Sequence, residues 1–249
     1  MLFIVKIYRF RTVSSTQDIA RELAEDGVKE GIVIADMQTK GRGRADRIWH
    51  SPSGGLWLSI ILRPKVEPVY CLRLVLILGL AVVRAIRAVT GLNALIKWPN
   101  DVVIDGKKVC GILIESETVE DLVKYVIIGV GINVNVKLEE LPLNVRAEAT
   151  SLSEKLGGNV SNEEVLRALL TEFKALYKLF LRGETGWINE YREKSCILGR
   201  DVNVTNDAGL TICGTAVDVD DYGRLVVKLS DKTVRRLDYG EVARLRIHI

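Results

Sequence analysis

The residues best suited to chemistry lie in a basic, glycine-rich segment at 39–55, TKGRGRADRIWHSPSGG. Its glycines leave the backbone free, and Arg42 and Arg44 carry guanidinium groups that suit bidentate contacts with phosphate or carboxylate oxygens. Trp49 and a tight turn follow, leading directly into the apolar run LWLSIILR. This pattern predicts a tethered lid that closes over an anion. A solvated basic loop and an RGG-like nucleic-acid tract are the alternatives.

Two further segments combine charge with a constrained backbone. KWPND places Lys97 and Asp101 around Pro99, which fixes the chain direction, although the same letters also suit a plain strand end and turn. In GKKVCGILIE, strand alternation sends the two lysines to opposite faces. Lys108 precedes the small residue Gly111, where a ligand could approach closely; a solvated edge strand is the alternative.

Several common site types are not indicated. There is no G-x-x-x-x-G-K-[ST] phosphate loop, and GVGINV lacks the third glycine of a dinucleotide fingerprint. The four cysteines are far apart, and His50 and His248 are the only histidines, so a zinc site or Cys/His catalysis is not expected.

The charge distribution is informative because the excess is local. The formal net charge is +3, and residues 39–50 alone carry four basic residues and one acidic residue, so the rest of the chain is balanced. A nucleic-acid surface usually carries a wider positive excess. No uninterrupted apolar run reaches the roughly 18 residues of a membrane span, and no signal-peptide pattern is present, so we expect a cytoplasmic protein without membrane contact.

The elements that must position these residues follow from periodicity and caps. The sequence predicts strands at 2–10, GIVIADMQ, LWLSIILR and LVKYVIIGVGINVNV, a hairpin around Asp105-Gly106, and helices at SSTQDIARELAEDG, 68–90, SNEEVLRALLTEFKALYKLFLRG and 185–195. From residue 197 short strands alternate with turns, which is typical of a small β-barrel. We therefore expect an α+β protein with a mixed sheet flanked by helices at 1–196 and a β domain at 197–249.

Taken together and in this order, the motifs resemble those of the biotin protein ligases. The matching pieces are SSTQ at 14–17, QTKGRGR at 38–44, KWPND at 97–101, GKKVCGILIE at 106–115 and GVGINV at 129–134. The resemblance covers nearly the whole chain. It implies the class II synthetase-like biotin/lipoate ligase fold with an SH3-like C-terminal barrel. It also implies ATP-dependent formation of biotinyl-5'-AMP, with Mg²⁺ accompanying the ATP, and transfer of biotin to a lysine of a biotin carboxyl carrier protein.

The resemblance also assigns roles to individual residues. For biotin it implies contacts from Ser15, Thr16, Gln17, Gln38, Gly41, Arg42, Gly43, Arg44, Lys108 and Gly111. For ATP it implies contacts from Arg42, Arg44, Trp49, Lys97, Asn100, Lys108 and Asn133, with no metal site made by protein alone. Arg42 and Lys108 would stabilise developing charge, and Asp101 would orient or deprotonate the acceptor lysine. The family usually has Asn where Gln17 stands, and often Gly where Asp46 stands.

The resemblance is to the monofunctional type, without a DNA-binding domain ahead of the catalytic one, and a homodimer is expected by family analogy. The nearest alternative is a lipoate protein ligase of the same fold. Ser15, Thr16 and Gln38 favour a polar ureido head over an apolar dithiolane. An alternative from another class is a nucleic-acid-binding module that uses the basic loop.

Overall fold

The computed structural model of the chain describes residues 6–120, 122–206 and 208–247. Its strands are β1 Lys6–Val13, β2 Gly31–Gln38, β3 Leu56–Leu62, β4 Leu95–Lys97, β5 Asp101–Ile104, β6 Lys107–Val119, β7 Leu122–Ile132, β8 Asp201–Thr205, β9 Thr211–Val219, β10 Leu225–Lys228, β11 Val234–Leu237 and β12 Arg244–Ile247. Its α-helices are α1 Thr16–Glu25, α2 Pro68–Cys71, α3 Arg73–Thr90, α4 Leu143–Arg146, α5 Leu152–Leu156, α6 Asn162–Leu181 and α7 Trp187–Lys194, with 3₁₀ turns at Leu138–Glu140 and Tyr239–Glu241. The first residues of the strand predicted at 2–10 lie outside the described residues.

The larger sheet has the strand order β1-β2-β3-β7-β6-β5-β4. Strands β1 and β2 run parallel, and the other neighbouring pairs are antiparallel. Helix α1 packs Ala20 and Ala24 against one face, whereas α3, α6 and α7 belong to the core on the other. The predicted mixed sheet flanked by helices is therefore confirmed.

The segment predicted as one helix at 68–90 is two helices in the structure. Pro68 begins α2 at a position where its missing N–H costs nothing, and Gly91 ends α3 with a φ of 73°. Between them Leu72 keeps helical dihedral angles, but the amide of Val75 bonds to its carbonyl, three residues back. The single-helix prediction is wrong here because the backbone tightens into a 3₁₀-type turn.

This segment also carries the strongest apolar signal. By length and composition, one helical segment among the described residues, Pro68–Thr90, could cross a membrane. In the fold 72% of its apolar window is buried, and α3 packs against β5, β6, α6 and α7. A helix that is apolar on nearly all sides is expected in such a central position.

The predicted hairpin and caps are also present. Asp105 and Gly106 have φ values of 51° and 76°, which is the two-residue turn with left-handed residues that joins β5 to β6. Helix α6 begins after Ser161, whose side chain accepts a hydrogen bond from the amide of Glu164.

The residues from 201 onward form a separate antiparallel sheet with the order β11-β10-β9-β8-β12. The predicted small β domain is therefore present as an antiparallel sheet, although within the described part of the chain no pairing joins β11 to β12 to close a barrel. The 3₁₀ turn Tyr239–Glu241 separates these two strands, and β12 pairs with β8 instead. This sheet touches the larger domain through the indole of Trp98, which donates to the carbonyl of Gly223 at 3.0 Å.

Candidate active site

A cavity of about 490 Å³ lies between the larger sheet, the start of α1, the basic segment and the chain around 141–149. Its lining includes most of the expected site residues: Ser15, Thr16, Gln17, Gln38, Arg42, Gly43, Arg44, Trp49, Asn100, Asp101, Lys108, Gly111 and Asn133. These come from segments more than a hundred residues apart, so the fold brings the sequence motifs together at one place.

One end of the cavity holds a chain of hydrogen-bonded polar groups that are buried or half-buried. Gln38 accepts hydrogen bonds at Oε1 from the amide and hydroxyl of Thr16, at 2.8 and 3.1 Å, and donates to Ser51 at 2.8 Å. The hydroxyl of Ser59 in turn donates to Thr16 at 2.8 Å. Because buried polar groups are costly without partners, these hydrogen bonds fix the orientation of Thr16 and Gln38, the two members of the cluster that line the cavity. Ser15 caps α1 by accepting from the amide of Gln17.

The basic segment is an ordered hairpin-like turn in this structure. The amide of Gly43 bonds to the carbonyl of Arg47 at 2.7 Å, and the amide of Trp49 bonds to the carbonyl of Gly41 at 2.9 Å. At its tip Asp46 has a φ of 54°, a left-handed conformation that glycine adopts freely and aspartate tolerates better than most residues. This backbone geometry also suits glycine, which is frequent at this position in the proteins that the sequence resembles.

Two of the cations expected to act on the anion are paired with carboxylates. Nη2 of Arg42 lies 3.0 Å from Asp18 Oδ1 and 2.9 Å from Glu115 Oε2. Nζ of Lys108 lies 2.6 Å from Asp101 Oδ1. An incoming anion would therefore share these cations with resident carboxylates, which hold the side chains in place.

Arg44 and Arg47 join the basic segment to the C-terminal domain. Nη2 of Arg44 donates to the carbonyls of Tyr239 and Val242 at 2.5 and 2.6 Å, and Nη2 of Arg47 donates to Ala243 at 2.9 Å. The Arg44 guanidinium also lies 4.1 Å from the centre of the Tyr239 ring. Burial raises the pKa of Tyr239 to about 12, so the phenol is neutral beneath the guanidinium near pH 7.

Trp49 lies over two glycines of the cavity floor. Gly111 and Gly131 are register partners on β6 and β7, and a Cβ at Gly111 would lie 2.8 Å from the indole ring. A Cβ at Gly131 would overlap Nε1 of the same ring. In this structure the Trp49 ring fills the space over Gly111, where close approach of a ligand was expected, and it also lies 5.0 Å from Nζ of Lys108.

The remaining expected residues have clear placements. Asn100 donates to the carbonyl of Ile112, and the buried Asn133 donates to the carbonyl of Thr150, each at 3.0 Å. Gly41 and Lys97 are not among the residues that line the cavity: Gly41 shapes the base of the basic segment, and Lys97 faces Asp101 across β4 and β5. The ligand contacts of these four residues, like those of all the expected site residues, stay predictions.

Sequence reasoning missed several residues that shape the site, among them Asp18, Ser51, Ser59 and Glu115. Glu115 was present in the sequence as the carboxylate that ends the apolar run GILI, but no local pattern indicated its partners. They come from α1 and from the basic segment, and only the sheet topology brings them within reach.

Metal and thiol chemistry find little support in the described residues. No group of three or more His, Cys, Asp or Glu side chains in that part of the chain could hold a metal ion. Cys110 is fully buried beneath the cavity and burial raises its pKa, while burial raises the pKa of Cys71 to about 11. These two thiols are poor nucleophiles near neutral pH.

Two protein-family models match parts of the chain. The Biotin/lipoate A/B protein ligase family matches residues 10–133, and the Biotin protein ligase C terminal domain matches residues 197–245. The second match covers the strands of the smaller sheet.

Individual relatives and solved structures give the same picture. The Bifunctional ligase/repressor BirA of Bacillus spizizenii is 39% identical over 222 residues, which is 88% of this chain and 68% of that protein. The biotin–[acetyl-CoA-carboxylase] ligase of Mycobacterium tuberculosis is 32% identical over 95% of this chain and 87% of its own length. The structure of the Aquifex aeolicus biotin protein ligase in complex with biotin and ATP superimposes with a TM-score of 0.84 at 32% identity, covering 98% of this chain and 99% of that one.

Proposed function

This chain belongs to the biotin/lipoate A/B protein ligase family, and from that membership we propose that it is an ATP-dependent biotin protein ligase. Such an enzyme converts biotin to biotinyl-5'-AMP and passes the biotinyl group to a lysine of a biotin carboxyl carrier protein. The observation that carries the proposal is one cavity in which the buried cluster around Thr16 and Gln38 lies with the cations Arg42 and Lys108.

The polar cluster supports biotin over lipoate as the substrate. The ureido ring of biotin offers N–H donors and a carbonyl acceptor, whereas the dithiolane ring of lipoate offers neither. An apolar ring placed against Thr16 and Gln38 would give these cavity-lining polar groups no hydrogen-bond partner, which is less favourable than a polar ring in the same place.

In the first step a biotin carboxylate oxygen attacks the α-phosphorus of ATP, and the bond to the β,γ-phosphates breaks so that pyrophosphate leaves with the electron pair. The carboxylate is ionised near neutral pH, so this step needs no general base. The obstacle is repulsion between anions. We propose that Arg42, Arg44 and Lys108 offset that repulsion and stabilise the charge that develops in transit.

In the second step the acceptor lysine loses a proton, attacks the acyl carbon and displaces AMP. A lysine amine has an ordinary pKa of about 10.4, so it needs a group that orients it or accepts the proton. We propose Asp101, whose carboxylate lines the cavity beside Lys108. The mixed anhydride must be shielded from water until then, and the basic segment with Trp49 is the proposed cover.

We propose that Mg²⁺ binds together with ATP, through the phosphates of the nucleotide. The described side chains offer no cluster of three metal-ligating groups, and Mg²⁺ commonly binds through substrate phosphates with only one or two carboxylates.

We propose a cytoplasmic enzyme with a biotin carboxyl carrier domain as acceptor, and a homodimer by analogy with the family. Light scattering during size-exclusion chromatography tests the oligomeric state.

The decisive experiment is ATP–pyrophosphate exchange with biotin and with lipoate in parallel. We expect exchange with biotin, none with lipoate, and a mass gain on a biotin carboxyl carrier domain added afterwards. Exchange with lipoate alone would identify a lipoate ligase. Polynucleotide binding with a steep salt dependence, and no exchange, would indicate the nucleic-acid-binding alternative.

A further inference from the structure

The carboxylate of Glu115 is a meeting point of three side chains. Its Oε2 accepts hydrogen bonds from Nε2 of Gln17 at 3.1 Å, from Nη2 of Arg21 at 2.9 Å and from Nη2 of Arg42 at 2.9 Å. Gln17 and Arg42 line the cavity, whereas Arg21 lies on the next turn of α1 and does not. Glu115 thus contacts two cavity residues without lining the cavity itself.

The charges of this cluster balance. Arg42 also pairs with Asp18 at 3.0 Å, so two arginines face two carboxylates. Both carboxylates engage the same nitrogen of Arg42, and its Nε, which is buried, has no hydrogen-bond partner within the described structure. The cluster therefore holds the guanidinium in place and leaves its Nε–H without a partner.

The contact with Gln17 has a further consequence because a carboxylate only accepts hydrogen bonds. Glu115 must take the NH₂ group of the Gln17 amide, which directs Oε1 away from the carboxylate. Gln17 is only 3% exposed, and its Oε1 is buried without a hydrogen-bond partner. Such an acceptor is costly to leave unpaired, and an N–H group of a ligand would satisfy it.

The position of this amide depends on two features of the chain. The side chain of Gln17 lies over Gly129, where a Cβ would be 3.1 Å from Oε1, so the glycine leaves room for it. Asparagine, the usual family residue here, is one methylene shorter than the side chain that spans this gap to Glu115. The Gln17–Glu115 contact is therefore a feature that this chain builds with its own residue.

We propose that Glu115 is a positioning residue that sets head-group specificity: it fixes the Gln17 amide so that Oε1 accepts from a ureido N–H of biotin. This inference rests on the proposed function. The two N–H groups of the ureido ring are the only N–H donors in biotin, whereas lipoate has no N–H donor. A fixed acceptor in a buried position selects for a donor and against a ligand atom that can only accept.

The test uses uncharged ligands, because a substitution of Glu115 would also change the attraction between Arg42 and the carboxylate of biotin. Dissociation constants are measured calorimetrically for biotinamide and for the two cyclic carbamate analogues, in each of which oxygen replaces one ureido N–H. The wild type should bind at least one carbamate more weakly by about fivefold or more, because its ring oxygen would leave Gln17 Oε1 unpaired. In Glu115→Gln the Gln17 amide can turn over, and the ratio should fall to about twofold or less.

Two matched controls separate positioning from general loosening. Arg21→Gln removes a partner of Glu115 but leaves Gln17 on the carboxylate, so the ratio should stay at the wild-type value. Glu117→Gln removes the next carboxylate on the same face of β6, which pairs only distantly with Lys124, and should also leave the ratio unchanged. If Glu115→Gln does not fold, Gln17→Leu, which removes the acceptor itself, should bring the ratio close to one.

The outcomes are distinct. A wild type that binds neither biotin nor biotinamide refutes the proposed function and, with it, this inference. A wild type that binds biotin but does not discriminate against the carbamates refutes the inference alone. So does an unchanged ratio in Glu115→Gln, or a ratio that Arg21→Gln lowers equally.

Discussion

Lys108 is held in the cavity by both its side chain and its backbone. Its ammonium group pairs with Asp101, and its amide and carbonyl bond to Glu148 and Thr150 on the facing segment. The neighbouring Lys107 is exposed on the other face of the strand. Lys108 is therefore a constrained cation, whereas Lys107 is a solvated one.

Lys108→Ala should reduce biotin-dependent pyrophosphate release by more than tenfold. The reason is that a charge-assisted contact in a partly buried site contributes about 1.5 to 3 kcal/mol. Steady-state pyrophosphate release measures this directly, and Lys107→Ala is the matched control, expected to stay within twofold of the wild type. A wild-type rate in Lys108→Ala would show that this lysine does not contact the reacting groups.

At the scale of elements, β6 and β7 form the floor on which Trp49 rests. Gly111 and Gly131 face each other in register, and the indole fills the space that side chains would occupy. The glycine pair therefore provides a docking slot for the end of the basic segment. This explains the two glycines through packing against a side chain of the protein itself.

Gly131→Ala should displace Trp49, because the new Cβ would overlap Nε1 and the strand backbone cannot move without disturbing both neighbours. We expect a loss of about 1 to 3 kcal/mol in unfolding free energy. We also expect faster proteolysis of residues 41–48 and at least a tenfold fall in adenylation. Gly158→Ala, where a Cβ meets nothing within 4 Å, is the control. Equal proteolysis of the two variants would rule out a docking role for the slot.

A second element-scale feature joins three helices. Arg84 on α3 pairs with Glu190 on α7 and with Glu172 on α6, and the hydrogen bond from Arg84 is the main cause of the lowered pKa of Glu190. A carboxyl group with a lower pKa in the folded state stabilises the protein above its ordinary value of 4.5. That stabilisation is lost as the pH falls through the lowered folded-state value.

Glu190→Gln should therefore lower the unfolding free energy by up to about 1 kcal/mol at pH 7, the range measured for half-exposed ion pairs. The difference from the wild type should shrink as the pH falls below 4.5, where the glutamate becomes protonated. Urea unfolding at pH 7 and pH 3 measures both values, with Glu193→Gln on the exposed side of α7 as the control. A difference that is the same at both pH values would contradict this account.

At the scale of the whole molecule, the C-terminal domain reaches the site through its backbone. The carbonyls of Tyr239, Val242 and Ala243 accept from Arg44 and Arg47 of the basic segment. The basic segment is thus anchored on the chain near the smaller sheet, whereas the floor of the cavity belongs to the larger sheet. The separation predicted between 1–196 and 197–249 stays a prediction, but the two parts share the site.

Tyr239→Leu should weaken that anchor, because a cation–π contact with a buried aromatic ring contributes about 1 to 2 kcal/mol. We expect biotin-dependent exchange to fall about three- to tenfold while the circular dichroism spectrum stays that of the wild type. Tyr222→Leu is the control: this tyrosine lies in the same domain but stacks on Tyr70, away from the basic segment. If both variants exchange at the same rate, the C-terminal domain does not act on the basic segment.

Much of the fold could be predicted from local sequence patterns. The caps of α1 and α6, the Asp105-Gly106 turn and the alternation that exposes Lys107 and turns Lys108 inward depend on neighbours within a few residues. The break at Leu72 was not predictable, because helical spacing continues through it. The order in which the C-terminal strands pair was not predictable either, because strand pairing depends on contacts between distant segments.

For the site, the sequence by itself determined which motifs are present, and hence the residue types that can meet an anion and a polar ring. Only the tertiary structure decided how those residues are held: Gln17 and Arg42 on Glu115, Trp49 on the glycine pair, and Arg44 on the carbonyls near Tyr239. The physical reason is distance along the chain. Glu115 is 98 residues from Gln17, and Tyr239 is 195 residues from Arg44, so nothing in the local pattern of either residue specifies its partner. Those pairings follow from sheet order and domain packing, which bring distant backbone segments within hydrogen-bonding range.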